Sequence, residues 1–123
     1  MKHVEDDHQR HLFTWARMAT INGIRVGDYL IAIPNGGKRN VREAARLKAQ
    51  GVKAGVSDIF LALPRGHFSG LWIELKAPKG KAQANQLEWL DRMGAAGYSA
   101  VMCWGWEDAK KTIEEYIKQK KGA

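Results

Sequence analysis

The stretch Gly55-Val56-Ser57-Asp58, followed by Leu71-Trp72-Ile73-Glu74-Leu75-Lys76, decides the fold of this chain. Residues 59–63 and 71–75 are short apolar runs, which predicts two strands. Residues 64–70 contain a proline and two glycines, which predicts a turn between them. If the strands pair as a hairpin, Asp58 begins one strand while Glu74 and Lys76 end the other. All three charged residues then lie at one end of the hairpin.

The charged residues of this hairpin are candidates for chemistry. Glu74 and Lys76 share a strand face about 7 Å apart, whereas Leu75 points into the core. Charges at the end of a buried sheet are costly unless they are paired or bind a metal. The alternative is that Asp58 caps a turn and that Glu74 and Lys76 form an ion pair at an exposed edge, which contributes little stability. The continuous apolar flanks favour a strand covered on both faces, and therefore a site.

Length, net charge and cysteine content restrict the possible classes of protein. A chain of 123 residues and 13.8 kDa predicts one domain, residues 1–123, with a single core. A net charge of +7 suits an anionic partner, either nucleic acid or an acidic membrane surface. We expect no membrane span and no signal peptide, because no apolar run is long enough. Cys103 is the only cysteine, which excludes a disulfide framework. We therefore expect a cytoplasmic protein.

Hydrophobic periodicity along the rest of the chain predicts a layered α/β fold. The predicted order is α-β-α-β-β-α-β-α, a mixed central sheet flanked by helices. The remaining predicted elements are helices over residues 5–20, 41–50, 82–93 and 107–119 and strands over residues 28–33 and 98–104.

Two further polar residues fall on predicted buried helix faces. Glu5 is spaced with Leu12 and Ala16, so it extends the apolar stripe of the first helix. It can equally be a first-turn acid favoured by the helix dipole. Gln86 shares a face with Trp89 in the third helix, and a buried amide needs partners. The partner of the Gln86 amide could be a group near Lys76, a bound phosphate or an ordinary hydrogen-bonding group of the core.

Basic residues surround the acidic pair in sequence. A loop at residues 35–40 and the helix after it can present backbone N–H groups and cations to a phosphate. The alternatives are an ordinary turn and a solvated helix face. The candidate DNA-binding residues are Asn35, Lys38, Arg39, Arg42, Arg46, Lys53, Lys79 and Lys81.

The acidic residues predict a site for a hard divalent cation. Glu5, Asp58 and Glu74 supply the oxygen ligands that Mg²⁺ or Mn²⁺ takes. Such an ion lowers the pKa of a bound water and offsets charge developing on a phosphodiester. Lys76 would orient or deprotonate that water, or act as a fixed cation. No histidine pair has the spacing of a zinc site, and Ser57 lacks a base.

These motifs together resemble the virus-type replication-repair nuclease (VRR-NUC) domain, a branch of the PD-(D/E)xK superfamily with a restriction-endonuclease-like fold. The resemblance runs from about Glu5 to Tyr116. It implies a metal held by Asp58, Glu74 and the Leu75 carbonyl, assisted by Glu5. It also implies Lys76 as the catalytic lysine and Gln86 as the family's helix glutamine. Ser57 is a departure, because relatives usually have proline there.

The resemblance also implies an activity and an assembly. Small stand-alone phage and bacterial members resemble Holliday-junction resolvases, so we expect a homodimeric DNA-repair endonuclease for branched DNA that needs no nucleotide cofactor. Trp15, Trp104 or Trp106 can anchor the dimer, although core packing explains them equally well. The competing functions are a non-catalytic basic DNA-binding module and a restriction-like nuclease that reads a sequence.

Overall fold

The computed structural model describes residues 4–34 and 40–122, which form a mixed α/β fold. Its helices flank a four-stranded mixed sheet, as the sequence predicts. Among these residues no helix is long and apolar enough to cross a bilayer. The elements are α1 (Val4–Met18), β1 (Thr20–Ile21), β2 (Ile24–Arg25), a 3-10 turn (Val26–Asp28), β3 (Leu30–Ala32), α2 (Val41–Ala49), β4 (Ile59–Leu61), β5 (Leu71–Lys76), α3 (Ala84–Ala95), β6 (Ser99–Trp104) and α4 (Trp106–Ile117).

The main sheet has the strand order β3-β4-β5-β6. The pairs β3–β4 and β4–β5 are antiparallel, whereas β5 and β6 are parallel and are joined through α3. Ile59 lies opposite Ile73, and Lys76 lies opposite Trp104. The start of β4 therefore meets the ends of β5 and β6. We call this end of the sheet the Asp58 end.

The two faces of β5 have different surroundings. Leu71, Ile73 and Leu75 are at most 1% exposed and belong to the main core, with buried residues of α1 and α4. Burial of each such side chain contributes roughly 1.5–3 kcal/mol. Trp72 and Glu74 alternate with them and contact α3 through Trp89 and Gln86. Helix α3 therefore covers the face that carries the charged residues.

The predicted first helix is wrong at its carboxyl end. Helix α1 ends at Met18, and Thr20–Ile21 pairs with Ile24–Arg25 in a small antiparallel hairpin. Asn22 and Gly23 have φ values of 50° and 82°, the positive pair that a two-residue hairpin turn requires. The sequence prediction treats Asn22-Gly23 only as a helix stop, so the predicted element order lacks this hairpin.

Two predicted strands are also shorter in the structure. The strand predicted over residues 28–33 begins only at Leu30, because Val26–Asp28 forms the 3-10 turn. It ends at Ala32, and the next N–H, that of Ile33, donates to the Asp58 carbonyl at 2.6 Å. The strand predicted over residues 59–63 ends at Leu61, where the Leu63 N–H turns back to the Leu61 carbonyl. These ends place Asp58 beside β3 and β5.

Candidate active site

Asp58 is fixed between its two neighbouring strands. Its Oδ2 accepts a hydrogen bond from the Leu75 N–H at 2.9 Å. Its backbone carbonyl accepts from Ile33 on the other side. Burial raises the pKa of the Asp58 carboxyl, opposed by the Leu75 N–H, a hydrogen bond with Glu74 and the charge of Lys76. The carboxyl is thus held at the end of β5, as the predicted hairpin requires.

Glu74 is 1% exposed, and one of its oxygens accepts no hydrogen bond from a donor among the described residues. Its Oε2 accepts from Gln86 Nε2 at 3.1 Å, while Oε1 is buried with no donor. Burial, followed by the negative charge of Asp58, raises the pKa of Glu74 to about 8, although Lys76 opposes the shift. At neutral pH without a cation, the Asp58–Glu74 pair therefore retains a proton, which its mutual hydrogen bond requires.

Lys76 is buried at 5% exposure on the same face as Glu74. Within the described part of the chain its ammonium makes no ion pair at contact distance. Its positive charge nevertheless opposes the rise in pKa that burial causes at Glu5, Asp58 and Glu74. The alternative of an exposed Glu74–Lys76 pair is wrong, because both residues are buried.

A tight turn lies against the stem of Lys76. The Gly80 N–H donates to the Ala77 carbonyl at 2.8 Å. A Cβ at Gly80 would lie 3.3 Å from Lys76 Cβ, so glycine is favoured at this close approach. Trp104 Nε1 donates to the Gly80 carbonyl at 2.9 Å, which ties the turn to the end of β6. Sequence reasoning missed this contact, and Trp104 at the end of a strand beside Glu-x-Lys was its only signal.

Glu5 lies near the site, but not on a buried stripe. The residue is exposed, and the buried residues of α1 are Leu12 and Ala16. Its carboxylate accepts a hydrogen bond from the Ala77 N–H. Partial burial, then the charge of Asp58, raises its pKa, while Lys76 lowers it. Of the two interpretations of Glu5, the buried stripe is wrong and the first-turn acid agrees with the structure.

Gln86 links α3 to the acidic pair. Its side-chain oxygen accepts from the Gln83 N–H at 3.0 Å, and its amide nitrogen donates to Glu74. Gln86 is half-buried, so its predicted place on a buried face is only partly right. Its partner is Glu74, two residues before Lys76 on β5, which agrees with the predicted partner near Lys76. Because its oxygen is held at the helix start, the amide N–H₂ is directed to the carboxylate.

The oxygen atoms of the acidic pair fit a hard cation. Within the described residues no three His, Cys, Asp or Glu side chains form a group that could hold a metal, so the acidic pair offers two carboxylates. Mg²⁺ commonly uses one or two carboxylates and retains several waters. The unpartnered Glu74 Oε1 and the Asp58 carboxyl meet that requirement. The Leu75 carbonyl points to the side of β5 on which its N–H binds Asp58.

The candidate DNA-binding residues that the structure describes are all exposed. Helix α2 buries no side chain, and its Arg46 lies 4.0 Å from Glu43. Lys79 and Lys81 flank Gly80 beside Lys76. Both lysines therefore lie in the chain next to a turn that packs against Lys76. Asn35, Lys38 and Arg39 lie outside the described residues; the other exposed candidates are Arg42 and Lys53.

The sheet and site define the class of protein. Strand ends that bring two carboxylates, a lysine and a glutamine together are consistent with a nuclease domain. The family model for the VRR-NUC domain matches residues 27–106, and the chain belongs to the VRR-NUC family. A solved structure, a VRR_NUC domain protein, is 31% identical with a TM-score of 0.85 over 96% of this chain and 91% of that one. No curated protein matches significantly. The predicted family is confirmed, and it implies a nuclease acting on DNA.

Proposed function

We propose that this VRR-NUC domain, residues 1–123, is a PD-(D/E)xK endonuclease that requires Mg²⁺ or Mn²⁺ and cuts branched DNA. The observation that carries the proposal is the pair of half-buried Asp58 and buried Glu74, whose Oε1 has no donor among the described residues, beside the buried Lys76. An acidic pair of this kind is costly unless a cation or a proton occupies it. We place this activity in the cytoplasm of a bacterial or phage-infected cell.

Each residue of the site has a defined part in the reaction. Asp58 and Glu74, with the Leu75 carbonyl, would hold the cation, and Glu5 assists from the mouth. When bound, the metal supplies charge stabilisation and acidifies a water. The Leu75 N–H orients Asp58, and the Gln86 amide orients Glu74. Lys76 orients the attacking water and counters the charge developing on the phosphate.

The exposed cations supply the surface for the DNA backbone. Lys79 and Lys81 flank the turn over Lys76, and Arg42 lies exposed on α2 with Arg46. Phosphate contacts of this type bind DNA without reading its sequence. We include Lys53, Asn35, Lys38 and Arg39 in the same surface on the basis of sequence.

The preference for branched DNA rests on a homodimer, because two sites can then cut two strands. Trp15 and Trp106 lie against Lys110 and are partly buried, so they support the fold of the monomer. Exposed apolar side chains that favour an interface are Ile31 on the edge strand β3 and Val41 on α2. Light scattering at micromolar concentration should give twice 13.8 kDa, and a monomer there would contradict the dimer.

The decisive experiment is a cleavage panel of a four-way junction, a flap and an intact duplex with Mg²⁺ or Mn²⁺. We expect preferential cutting of the branched DNAs, abolished by EDTA. Lys76→Ala and Asp58→Ala should be inactive, while Lys111→Ala, an exposed lysine on α4, should cut normally. Undiminished cutting by Lys76→Ala would refute the assigned site. Binding without product at any metal concentration would identify a non-catalytic module. Cutting at one duplex sequence would identify a restriction-like enzyme.

A further inference from the structure

Trp104 is an exposed aromatic residue on the charged face of the sheet. It is the last residue of β6 and lies in parallel register with Lys76. Paired residues of neighbouring strands project to the same face, so Trp104 shares a face with Glu74 and Lys76. It is nevertheless 44% exposed, whereas Lys76 is 5% exposed. A large aromatic side chain is therefore open to solvent next to the site.

Two hydrogen bonds hold Trp104 in this position. Its Nε1 donates to the Gly80 carbonyl at 2.9 Å, and its backbone N–H donates to Asp108 Oδ2 at 3.0 Å. The indole cannot rotate away from the site without losing the Gly80 bond. The ring is thus exposed and also preorganised, and an exposed ring held in this way costs a binding partner less entropy to engage.

The charges around this ring favour a nucleic-acid partner. Lys79 and Lys81 lie on either side of Gly80, the residue that Trp104 contacts. The chain as a whole carries a net charge of +7. Cations that follow a phosphate backbone, combined with an aromatic ring for the bases, are the usual components of a single-strand binding surface.

We propose that Trp104 stacks on an unpaired nucleobase of the DNA strand held at the Asp58–Glu74 pair. This inference rests on the proposed function, and it adds a basis for choosing branched DNA. Bases in an intact duplex are already stacked on each other and cannot offer a face to the ring. Unpaired bases at a flap or gap can, and stacking tolerates any base because every base has a π-face.

The binding experiment separates this contact from catalysis. Fluorescence anisotropy in EDTA measures the Kd for a flap DNA with unpaired bases and for an intact duplex. We expect Trp104→Ala to weaken flap binding roughly 5- to 150-fold, the range of one base–aromatic stack. Duplex binding should change less than about twofold, because only the backbone contacts are used. Cutting by the wild-type protein with Mg²⁺ tests the proposed function separately.

Two further variants distinguish stacking from support of the turn. Trp104→Phe keeps an aromatic face but lacks the N–H that binds Gly80, so we expect it to retain flap binding within about threefold. Phe68→Ala removes another aromatic residue, 38% exposed, from the turn at the opposite end of the sheet, and should bind like wild type. Equal loss of flap and duplex binding in Trp104→Ala, or equal loss of flap binding in Trp104→Phe and Trp104→Ala, would overturn the proposal. Unchanged flap binding in both Trp104→Ala and Trp104→Phe would also overturn the proposal.

Discussion

The two carboxyl oxygens of Glu74 differ in their hydrogen bonding. Oε2 accepts a hydrogen bond from Gln86, while the buried Oε1 has no donor among the described residues. Two carboxylates in contact cannot both be charged without a cation or a shared proton. The metal-free site is therefore protonated, and binding of a cation would release that proton.

The pKa of Glu74 predicts a pH dependence of stability in the metal-free protein. Burial and Asp58 raise this pKa from 4.5 to about 8. Between those values the folded protein keeps a proton that the unfolded chain releases, so the free energy of unfolding falls as pH rises and levels off above about pH 8. Thermal unfolding in EDTA should show this decline, and Glu74→Gln should make it shallower. An equally steep decline in Glu74→Gln would contradict the assignment.

The hydrogen bond from Gln86 predicts a role in metal affinity. Gln86→Ala leaves Glu74 Oε2 without its donor, so we expect cleavage to require about 10- to 100-fold more metal. Metal titrations of the cleavage rate measure this shift. Leu87→Ala is the control, because this side chain on α3 is 47% exposed and has no polar atom to bind Glu74. An unchanged metal requirement in Gln86→Ala would show that the amide does not position Glu74.

Alternation along one strand was sufficient to predict part of the site. The approach of Asp58 to Glu74 follows from pairing two short strands. That pairing could be predicted from the residues of the hairpin alone. The exposure of Glu5 and the Gln86–Glu74 bond depend instead on how far α1 and α3 overlap the sheet. Helical periodicity gives the face of a helix but not its position along the sheet, so the predicted burial was wrong for Glu5 and partly right for Gln86.

At the scale of elements, the loop before Asp58 depends on α3. Gly55 has a φ of 88°, and a Cβ there would lie 2.7 Å from the carbonyl oxygen of Asn85, near the start of α3. Only glycine permits both this backbone conformation and this distance. The beginning of the loop that carries Asp58 is therefore seated directly on the helix that carries Gln86.

A pair of glycine variants tests this contact. Gly51 also has a positive φ, 100°, but a Cβ added there would meet nothing within 4 Å. Gly51→Ala should cost about 1–2 kcal/mol through backbone strain alone. Gly55→Ala should cost about 1–3 kcal/mol more because it also displaces Asn85, and it should reduce cleavage. Urea unfolding measures both, and equal costs would argue against tight packing at Gly55.

The small hairpin shows why one element was missed. Asn22-Gly23 between isoleucines is a strong hairpin signal, but each strand has only two residues. The helical stripe before it continues in phase through Ala19, so the helix pattern extends up to the first hairpin residue. The helix pattern and the hairpin signal therefore compete at residues 19–20, and only packing decides between them. This competition explains why the predicted end of the first helix is wrong.

At the scale of the whole molecule, only some of the positive side chains belong to the proposed DNA surface. Arg42, Lys79 and Lys81 belong to the proposed DNA surface, whereas the Lys120 carbonyl accepts from the Gly66 N–H at the opposite end of the sheet. A net charge of +7 predicts nonspecific attraction to DNA but not where the DNA lies. The arrangement of strands supplies that location.

The position of each cation predicts its effect on salt dependence. Arg42→Ala should weaken DNA binding and reduce the slope of log K against log salt by about 1. Lys120→Ala removes the same charge far from the Asp58 end and should leave the slope unchanged. Binding isotherms at several salt concentrations measure both. Equal slopes for the two variants would show that the DNA does not cross α2.

The two ends of the described chain leave the molecule on opposite sides. Glu5 bonds the Ala77 N–H beside the acidic pair, whereas Lys120 bonds Gly66 at the far end of the sheet. Attachment to a surface or bead through the carboxyl end would therefore leave the Asp58 end facing outward. An amino-terminal label or fusion would instead stand beside the acidic pair. For single-molecule work on long DNA, the carboxyl end is the place for a tether.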